Sequence, residues 1–422
     1  MRQAVIVLGM HRSGTSAASG MFFLNGYDLG KSIMNANWSN PKGFYENKKI
    51  AELSDDLFRR LGVNWHNTLG LRNEWWEENT LDDFRERLKE SILTEFGNDS
   101  KLLFKDPRMC ILLPFYRKVF AEMEFDLRIV VIFRHPLEVA QSLNRRDGFS
   151  FRKSCRIWMD HMIRAERYSR GMKRVFIDYQ SVIEDPVQAF IRLAGCLNEP
   201  SDLTAEQEAR LIDFITPVLN HSDSGKRAET DMRNDAYLLF EIFKSAEYQD
   251  HTGTSEHQAE IISETFYQEV RGRRYPKISI ITIVNQESTD LERTVRSVVT
   301  SDYPDLEYII VACDAGPGHT AICRKYKYLA SMIIIDSSRS FADARKKGLQ
   351  IASGEWIGFL ESGDSFIHQR SLSEFISELS LPEEGNRIEA GLITESSKFL
   401  LIKNALKAEN DFFEQNGLIA LE

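Results

Sequence analysis

Short apolar runs alternate with amphipathic stretches twice along this chain, and a polar segment lies between the two series. In the first series the runs are Ala4-Val5-Ile6-Val7-Leu8, Lys101-Leu102-Leu103-Phe104, Leu127-Arg128-Ile129-Val130-Val131-Ile132-Phe133 and Arg174-Val175-Phe176-Ile177-Asp178-Tyr179. They are short, largely apolar and β-branched, which is the signature of strands buried on both faces. Between them, segments 17–24, 48–61, 81–93, 137–146 and 154–170 carry helical spacing; a further helix follows Asp185-Pro186 and another spans 206–215. The second series places strands at 278–285, 307–311, 332–335 and 356–360, with helices such as 291–299 between them. This alternation predicts an α/β protein with a doubly wound parallel sheet in each half and ligands along the carboxyl edges of the strands. The expected division is a first domain at 1–220, a helical linker at 221–275 and a second domain at 276–422. Helices at 237–243 and 259–270 are expected inside the linker.

Composition narrows the class. With 53 Lys+Arg against 63 Asp+Glu, the net charge of −10 argues against a nucleic-acid partner. The charge is uneven: residues 134–174 hold eleven Lys/Arg and four Asp/Glu, an excess suited to a solvated face or a polyanionic ligand. Five scattered cysteines without a C-x-x-C pair argue against a disulfide framework or zinc site. No apolar run is long enough for a transmembrane segment, and the first strand follows Met1 too closely for a signal peptide. The expected location is cytoplasmic, with peripheral attachment at the inner membrane face as the membrane option. The oligomeric state is not encoded in any pattern here.

The chemistry begins at Gly9-Met10-His11-Arg12-Ser13-Gly14-Thr15-Ser16, between the first strand and the first helix. A glycine-bounded loop feeding a helix N-terminus aims free amides and the positive dipole end at one point, which makes a P-loop-like anion cradle. The spacing Gly9-x4-Gly14 fits a P-loop, but Thr15 stands where a nucleoside triphosphatase needs lysine, and the loop cation is Arg12. Lys105-Asp106-Pro107-Arg108 follows the second strand, where a charged surface turn and an anion contact are both open readings. Arg134-His135-Pro136 follows the third strand, with Ser142 two turns into the next helix; a guanidinium fork plus a hydroxyl suits a phosphate monoester. Glu46, in the turn-rich stretch Asn40-Pro41-Lys42-Gly43-Phe44-Tyr45-Glu46-Asn47, is a helix-start carboxylate or a general base in a partly dry setting. His161 is read as an ordinary helix residue.

Together these residues resemble the sulfotransferases that use 3′-phosphoadenosine-5′-phosphosulfate (PAPS), in their bacterial carbohydrate-type branch, over residues 1–220. The resemblance implies that His11, Arg12, Ser13, Gly14, Thr15 and Ser16 hold the 5′-phosphosulfate and that Arg134 and Ser142 hold the 3′-phosphate. It also implies Glu46 as catalytic base, with Arg12 and Lys105 as catalytic cations and no metal. Arg12 replaces the loop lysine of better-known members and their Arg-Lys-Gly signature is absent, so Arg145, Arg146 or Arg152 is expected to supply the missing contact. The implied acceptor is a carbohydrate or glycolipid. A P-loop kinase and a glycan- or nucleotide-binding scaffold are the competing readings.

The second half resembles family 2 glycosyltransferases of the GT-A (Rossmann-like) type. The likeness rests on Ser279-Ile280-Ile281, Asn285, Ser297-Val298, Glu307-Tyr308-Ile309-Ile310-Val311, Ala344-Arg345-Lys346-Lys347-Gly348-Leu349 and Ala352-Ser353-Gly354-Glu355. It implies a nucleotide sugar with Mg or Mn as cofactors, Asp314 at the nucleotide base, and Glu361 and Asp364 in place of the family's Asp-x-Asp-Asp metal motif, with Asp364 the candidate ligand. Gly363 occupies one of that motif's carboxylate positions, and only 58 residues follow Asp364. A degenerate or truncated transferase is therefore expected here.

Overall fold

The computed structural model describes residues 2–36, 40, 42–97, 101–215, 234–248, 254–272, 275–285, 288–313, 315–335, 340–378, 387–390 and 399–403. The chain forms two compact units: Met1–Leu57 with Arg72–Gln268, and Phe58–Leu71 with Glu269–Glu422. Both are α/β, as the alternating runs predict.

The first unit runs β1 (Arg2–Leu8), α1 (Thr15–Leu24), α2 (Lys48–Arg60), α3 (Asp82–Phe96), β2 (Lys101–Lys105), α4 (Met109–Glu122), β3 (Phe125–Phe133), α5 (Pro136–Asp147), α6 (Phe151–Tyr168), β4 (Lys173–Asp178), α7 (Tyr179–Glu184), α8 (Pro186–Cys196), α9 (Ala205–Phe214), α10 (Asn234–Ser245) and α11 (Thr254–Gly272). Its sheet is parallel throughout, in the order β2-β1-β3-β4. The four central residues of β1, Ala4 to Val7, are fully buried, which is why this strand reads as an unbroken apolar run. Because β1 leads to β2 on one side and neighbours β3 on the other, the carboxyl ends of β1 and β3 flank a topological switch point. The loop after β1 and the start of α5 both lie at that edge.

Two elements depart from the sequence expectation. Helix α4 goes unrecognised in the pattern because Met109 to Leu113 are all fully buried and Pro114 follows them, so polar positions begin only at Arg117. The segment expected as a helical linker instead belongs in large part to the first unit. In α10, Ala236, Leu239 and Phe243 are fully buried, with Phe243 lying 5.7 Å from Phe133 of β3 and 5.2 Å from Phe176 of β4. A solvated connector would have no reason to bury that face. α11 is tied down by ion pairs: Arg174 meets Glu256 at 2.5 Å and Arg170 meets Glu260 at 2.6 Å. Residues 216–233, Arg273 and Arg274 lie outside the described residues.

The second unit runs β5 (Ile278–Val284), α12 (Leu291–Thr300), β6 (Leu306–Ala312), α13 (Pro317–Lys325), β7 (Met332–Ile335), α14 (Phe341–Ile351), β8 (Trp356–Phe359), α15 (Ser371–Glu378), β9 (Arg387–Ala390) and β10 (Phe399–Lys403). The expected parallel strands are present, but the sheet is mixed: β7-β6-β5-β8 pair in parallel, and β10 and β9 extend it antiparallel beyond β8. The turn after β7's helix is locked by a buried carboxylate. Glu307 accepts from Ser279 Oγ (2.5 Å), Ser353 N (2.7 Å) and Ser353 Oγ (2.6 Å). A Cβ on Gly354 would stand 2.5 Å from Ser279 N, so this turn admits only glycine.

A stretch from early in the chain completes this unit. Trp65 Nε1 donates to Tyr328 O (2.9 Å), His66 Nε2 lies 2.9 Å from Leu329 O, and Lys277 Nζ donates to Gly62 O (2.8 Å). Trp65, His66, Asn67 and Thr68 are buried. Among the described residues no helix is long and apolar enough to cross a membrane.

The packing of α10 predicts that Phe243→Ala removes a core side chain and not a surface one. We expect a loss of about 3–5 kcal/mol in urea denaturation. A loss below about 1 kcal/mol would mean that α10 is not part of the first unit's core.

Candidate functional site

The loop after β1 is shaped by two residues at positive φ, Arg12 at 71° and Gly14 at 96°. Gly14 caps α1 in the left-handed region, and a Cβ there would run into the ring of Tyr179, so both backbone and neighbour demand glycine. Gly9 N donates to Cys110 Sγ at 3.1 Å, fixing the start of the loop on α4. No side chain caps α1, and its first turn carries no acidic residue, so the leading amides and the dipole are left for an anion. Ser13 is fully buried, and its Oγ has no hydrogen-bond partner among the described residues.

The two phosphate motifs expected to act separately meet directly. Arg12 Nε donates to Ser142 Oγ at 2.8 Å, linking the β1–α1 loop to α5 across 130 residues of sequence. Arg134 is not the partner of Ser142. Its Nε donates to Glu138 at 2.7 Å, its Nη1 to Arg12 O at 3.4 Å, and its guanidinium lies 4.7 Å from the centre of the Tyr179 ring. Of the three reserve arginines, Arg145 and Arg152 are exposed, whereas Arg146 acts on Arg12 through space. Burial, then Arg146 and Arg134, bring the Arg12 guanidinium down to about 10. A cation destabilised by its own neighbours is one that an incoming polyanion would relieve.

On the other side of the loop, Glu46 and Lys105 form a buried pair at 2.5 Å, with side-chain exposures of 9% and 3%. Lys105 Nζ also donates to Phe44 O (3.0 Å) and Ser16 Oγ (3.3 Å), and Asn40 Nδ2 donates to the same hydroxyl at 3.0 Å. The turn 40–47, β2 and the first turn of α1 therefore converge on one point. Burial pushes the Glu46 carboxyl up, and Lys105 pulls it back. Arg108 resolves differently from Lys105: it is held by Asp106 (2.8 Å) and Asp55, which commits it to carboxylates and raises its pKa against the opposing effect of burial. Of Lys105-Asp106-Pro107-Arg108, only the lysine reaches the loop.

Behind the loop, His11 and His161 lie edge to face at 6.5 Å. His161 is fully buried; its Nδ1 is 2.9 Å from Ile157 O, and desolvation lowers its pKa to about 4. Desolvation and the field of Arg146 hold His11 well below its usual value.

In the second unit, Glu361 and Asp364 open and close a turn, Asp364 N donating to Glu361 O at 3.0 Å. Gly363 has φ 99° and donates to Thr294 Oγ1 at 2.9 Å. Glycine is thus required where the family motif has a carboxylate, and among the described residues no cluster of three His, Cys, Asp or Glu could hold a metal ion. Among the described residues the donor set does not fit the divalent cation that the resemblance implies. Asp314 lies outside the described residues.

Comparison with known proteins assigns this second region. Residues 279–386 match the glycosyl transferase family 2 model. Glycosyltransferase AglE of Haloferax volcanii is 27% identical over 110 residues, covering 25% of this chain and 36% of that protein. TuaG of Bacillus subtilis, a glycosyltransferase named for teichuronic acid biosynthesis, is 30% identical over 94 residues, covering 22% of this chain and 37% of its own length. The chain thus spans little more than a third of these relatives. Among solved structures, the mannosyltransferase PcManGT of Pyrobaculum calidifontis is similar at 19% identity and TM-score 0.26, over 28% of this chain and 36% of that one. Glucosyl-3-phosphoglycerate synthase of Mycobacterium tuberculosis is similar at 13% and TM-score 0.27, over 36% and 68%. The β1–α1 loop and α5 lie before the matched segment.

Several site residues carried no signal in the sequence. Tyr179 over Gly14, Cys110 under Gly9 and Asp55 against Arg108 are contacts of distant residues, visible only when the strands align. The buried His161 generates a pH prediction. Unfolded, it takes a proton near 6.5; folded, it resists until about 4. Its contribution is therefore complete above the unfolded value and is lost as pH falls. Between pH 7.5 and 5 the chain should lose about 2 kcal/mol from this group, and His161→Gln should flatten that part of the urea-denaturation profile. An unchanged slope would assign the acid sensitivity elsewhere.

Proposed function

We infer that the chain joins two transferase units: a sulfotransferase acting from PAPS onto a carbohydrate or glycolipid hydroxyl, and a family 2 glycosyltransferase-like unit with a nucleotide-sugar donor. The observation that carries the first reading is the Arg12–Ser142 contact at 2.8 Å, which brings both phosphate motifs into one cleft. A nucleoside phosphorylated at both ends of its ribose needs two anion contacts, and Thr15 stands where a triphosphate-binding loop carries its lysine. The buried, unpartnered Ser13 Oγ and the uncapped α1 are the features such a ligand would use. The second reading is supported by the family match over 279–386.

PAPS, when bound, supplies an activated sulfuryl group whose bond to the 5′-phosphate breaks as the acceptor oxygen bonds to sulfur. The residues here do four things. The loop amides of α1 and Arg12 hold the departing 5′-phosphate and its growing charge. Arg134 and Ser142 hold the 3′-phosphate, with the Tyr179 ring under the guanidinium fixing its plane. Lys105 carries positive charge to the transferring group's oxygens. Glu46 accepts the acceptor hydroxyl's proton, and its burial raises its basicity for that task. Positioning and electrostatics supply the catalysis, as in phosphoryl transfer.

Arg134→Ala should weaken adenosine 3′,5′-bisphosphate binding by about 2–3 kcal/mol in calorimetry; unchanged affinity would remove the 3′-phosphate assignment. Glu46→Gln should bind that nucleotide as wild type does yet lose at least about a hundredfold in sulfate transfer from labelled donor to glycan acceptors. Full transfer by that variant would exclude Glu46 as the base.

A further inference from the structure

The family 2 segment faces an electrostatic problem that its backbone creates. A nucleoside diphosphate donor brings at least two negative charges to the carboxyl edge of the sheet, and a divalent cation held by carboxylates is the usual counter-charge in a site of hard oxygen ligands. Here the turn after β8 cannot present the missing carboxylate. Gly363 is at φ 99°, where L side chains are strained, and a Cβ there would sit 3.3 Å from Thr289 Oγ1. Ser362 Oγ is itself committed to Thr289 O at 2.8 Å, and Thr294 Oγ1 accepts the Gly363 amide at 2.9 Å. The turn is therefore stitched to the start of α12 in a form that leaves two acidic side chains, Glu361 and Asp364.

Beside this turn stands a cation with spare bonding capacity. Arg345, on α14, places its guanidinium 4.7 Å from the centre of Phe359, the last residue of β8, and 5.6 Å from that of Phe341. The rings hold the fork in place while satisfying none of its N–H groups. Its Nε is buried with no hydrogen-bond partner among the described residues. Glu361 acts on it through space, against the effect of burial. A half-buried guanidinium set against two rings, its Nε without a hydrogen-bond partner among the described residues, at the ligand edge of an α/β sheet, is suited to a diphosphate.

Resting on the nucleotide-sugar reading of residues 279–386, we propose that Arg345 supplies the counter-charge for the donor diphosphate in place of a divalent metal ion. Nucleotide binding by this unit is then metal-independent. Lys346 and Lys347, its neighbours on α14, are not required, since neither is held against the β8 turn by any contact among the described residues.

Calorimetric titration of the full chain with uridine and guanosine diphosphate, in EDTA and in MnCl2, tests this. For the nucleotide that binds, the affinities in the two buffers should agree within about twofold, Asp364→Asn should leave them unchanged, and Arg345→Ala should weaken them about tenfold or more. Arg345→Lys, which keeps the charge without the fork, should recover part of the loss, and its melting curve controls for folding. Binding that vanishes in EDTA or in Asp364→Asn, or that survives Arg345→Ala undiminished, overturns the proposal while leaving the donor-site reading standing. Binding of neither nucleotide in either buffer overturns the donor-site reading itself, and the proposal with it.

Discussion

The ion pair between Glu46 and Lys105 is the constraint on which the first unit's cleft depends. Two opposite charges are taken almost fully out of water at 2.5 Å, an arrangement that is stable only while both partners and their remaining hydrogen bonds stay in place. Lys105 ends β2, Glu46 precedes α2, and Ser16, in the first turn of α1, shares the same lysine. Three segments far apart in sequence are thereby fixed around the loop that follows β1. Truncating either side chain, unlike an isosteric exchange that keeps the hydrogen bond, would strand a buried polar partner and release the turn 40–47 from the loop as well. The same pair is what makes a basic carboxylate available beside an anion cradle, so one interaction serves both fold and proposed chemistry.

The cationic side of the cleft follows the opposite logic. Arg12, Arg134 and Arg146 are held close enough to oppose one another, and Arg12 shows it. Cross-links such as Arg134–Glu138 and Arg146–Asp147 neutralise part of that charge and orient what remains. The acidic chain thus keeps a local positive site. In the second unit the proposed counter-charge is instead one guanidinium set against two rings, beside a turn whose Gly363 stands at φ 99°.

Much of this was legible in the sequence, for physical reasons that can be named. β1, β3 and β5 are buried on both faces, so their apolar runs were unmistakable, and glycine placement announced the strand–loop–helix at Gly9–Ser16. Glu46, Lys105, Arg12 and Ser142 were singled out as candidates from the sequence, and the structure brings Glu46 to Lys105 and Arg12 to Ser142. What could not be read was which of them touch. Ser142 pairs with Arg12 and not with Arg134, and Arg108 is committed to Asp55 and Asp106, because side-chain partners depend on strand order and not on spacing. α4 was hidden because its first five residues are all buried and a proline follows them. The fate of α10 turned on whether Phe240 and Phe243 had a surface to cover, and the docking of Trp65 to Asn67 rests on the carbonyls of Leu306, Tyr328 and Leu329, which leave no trace in composition.

The central claim is that one cleft, lined by the β1–α1 loop and the start of α5, receives both phosphates of a doubly phosphorylated nucleoside. A crystal structure with adenosine 3′,5′-bisphosphate tests it most directly. The account predicts the 5′-phosphate on the amides of Gly14 to Ser16 and the 3′-phosphate between Arg134 and Ser142, with Glu46 facing the open side. A nucleotide bound in the reverse sense, or bound anywhere but this cleft, would contradict it.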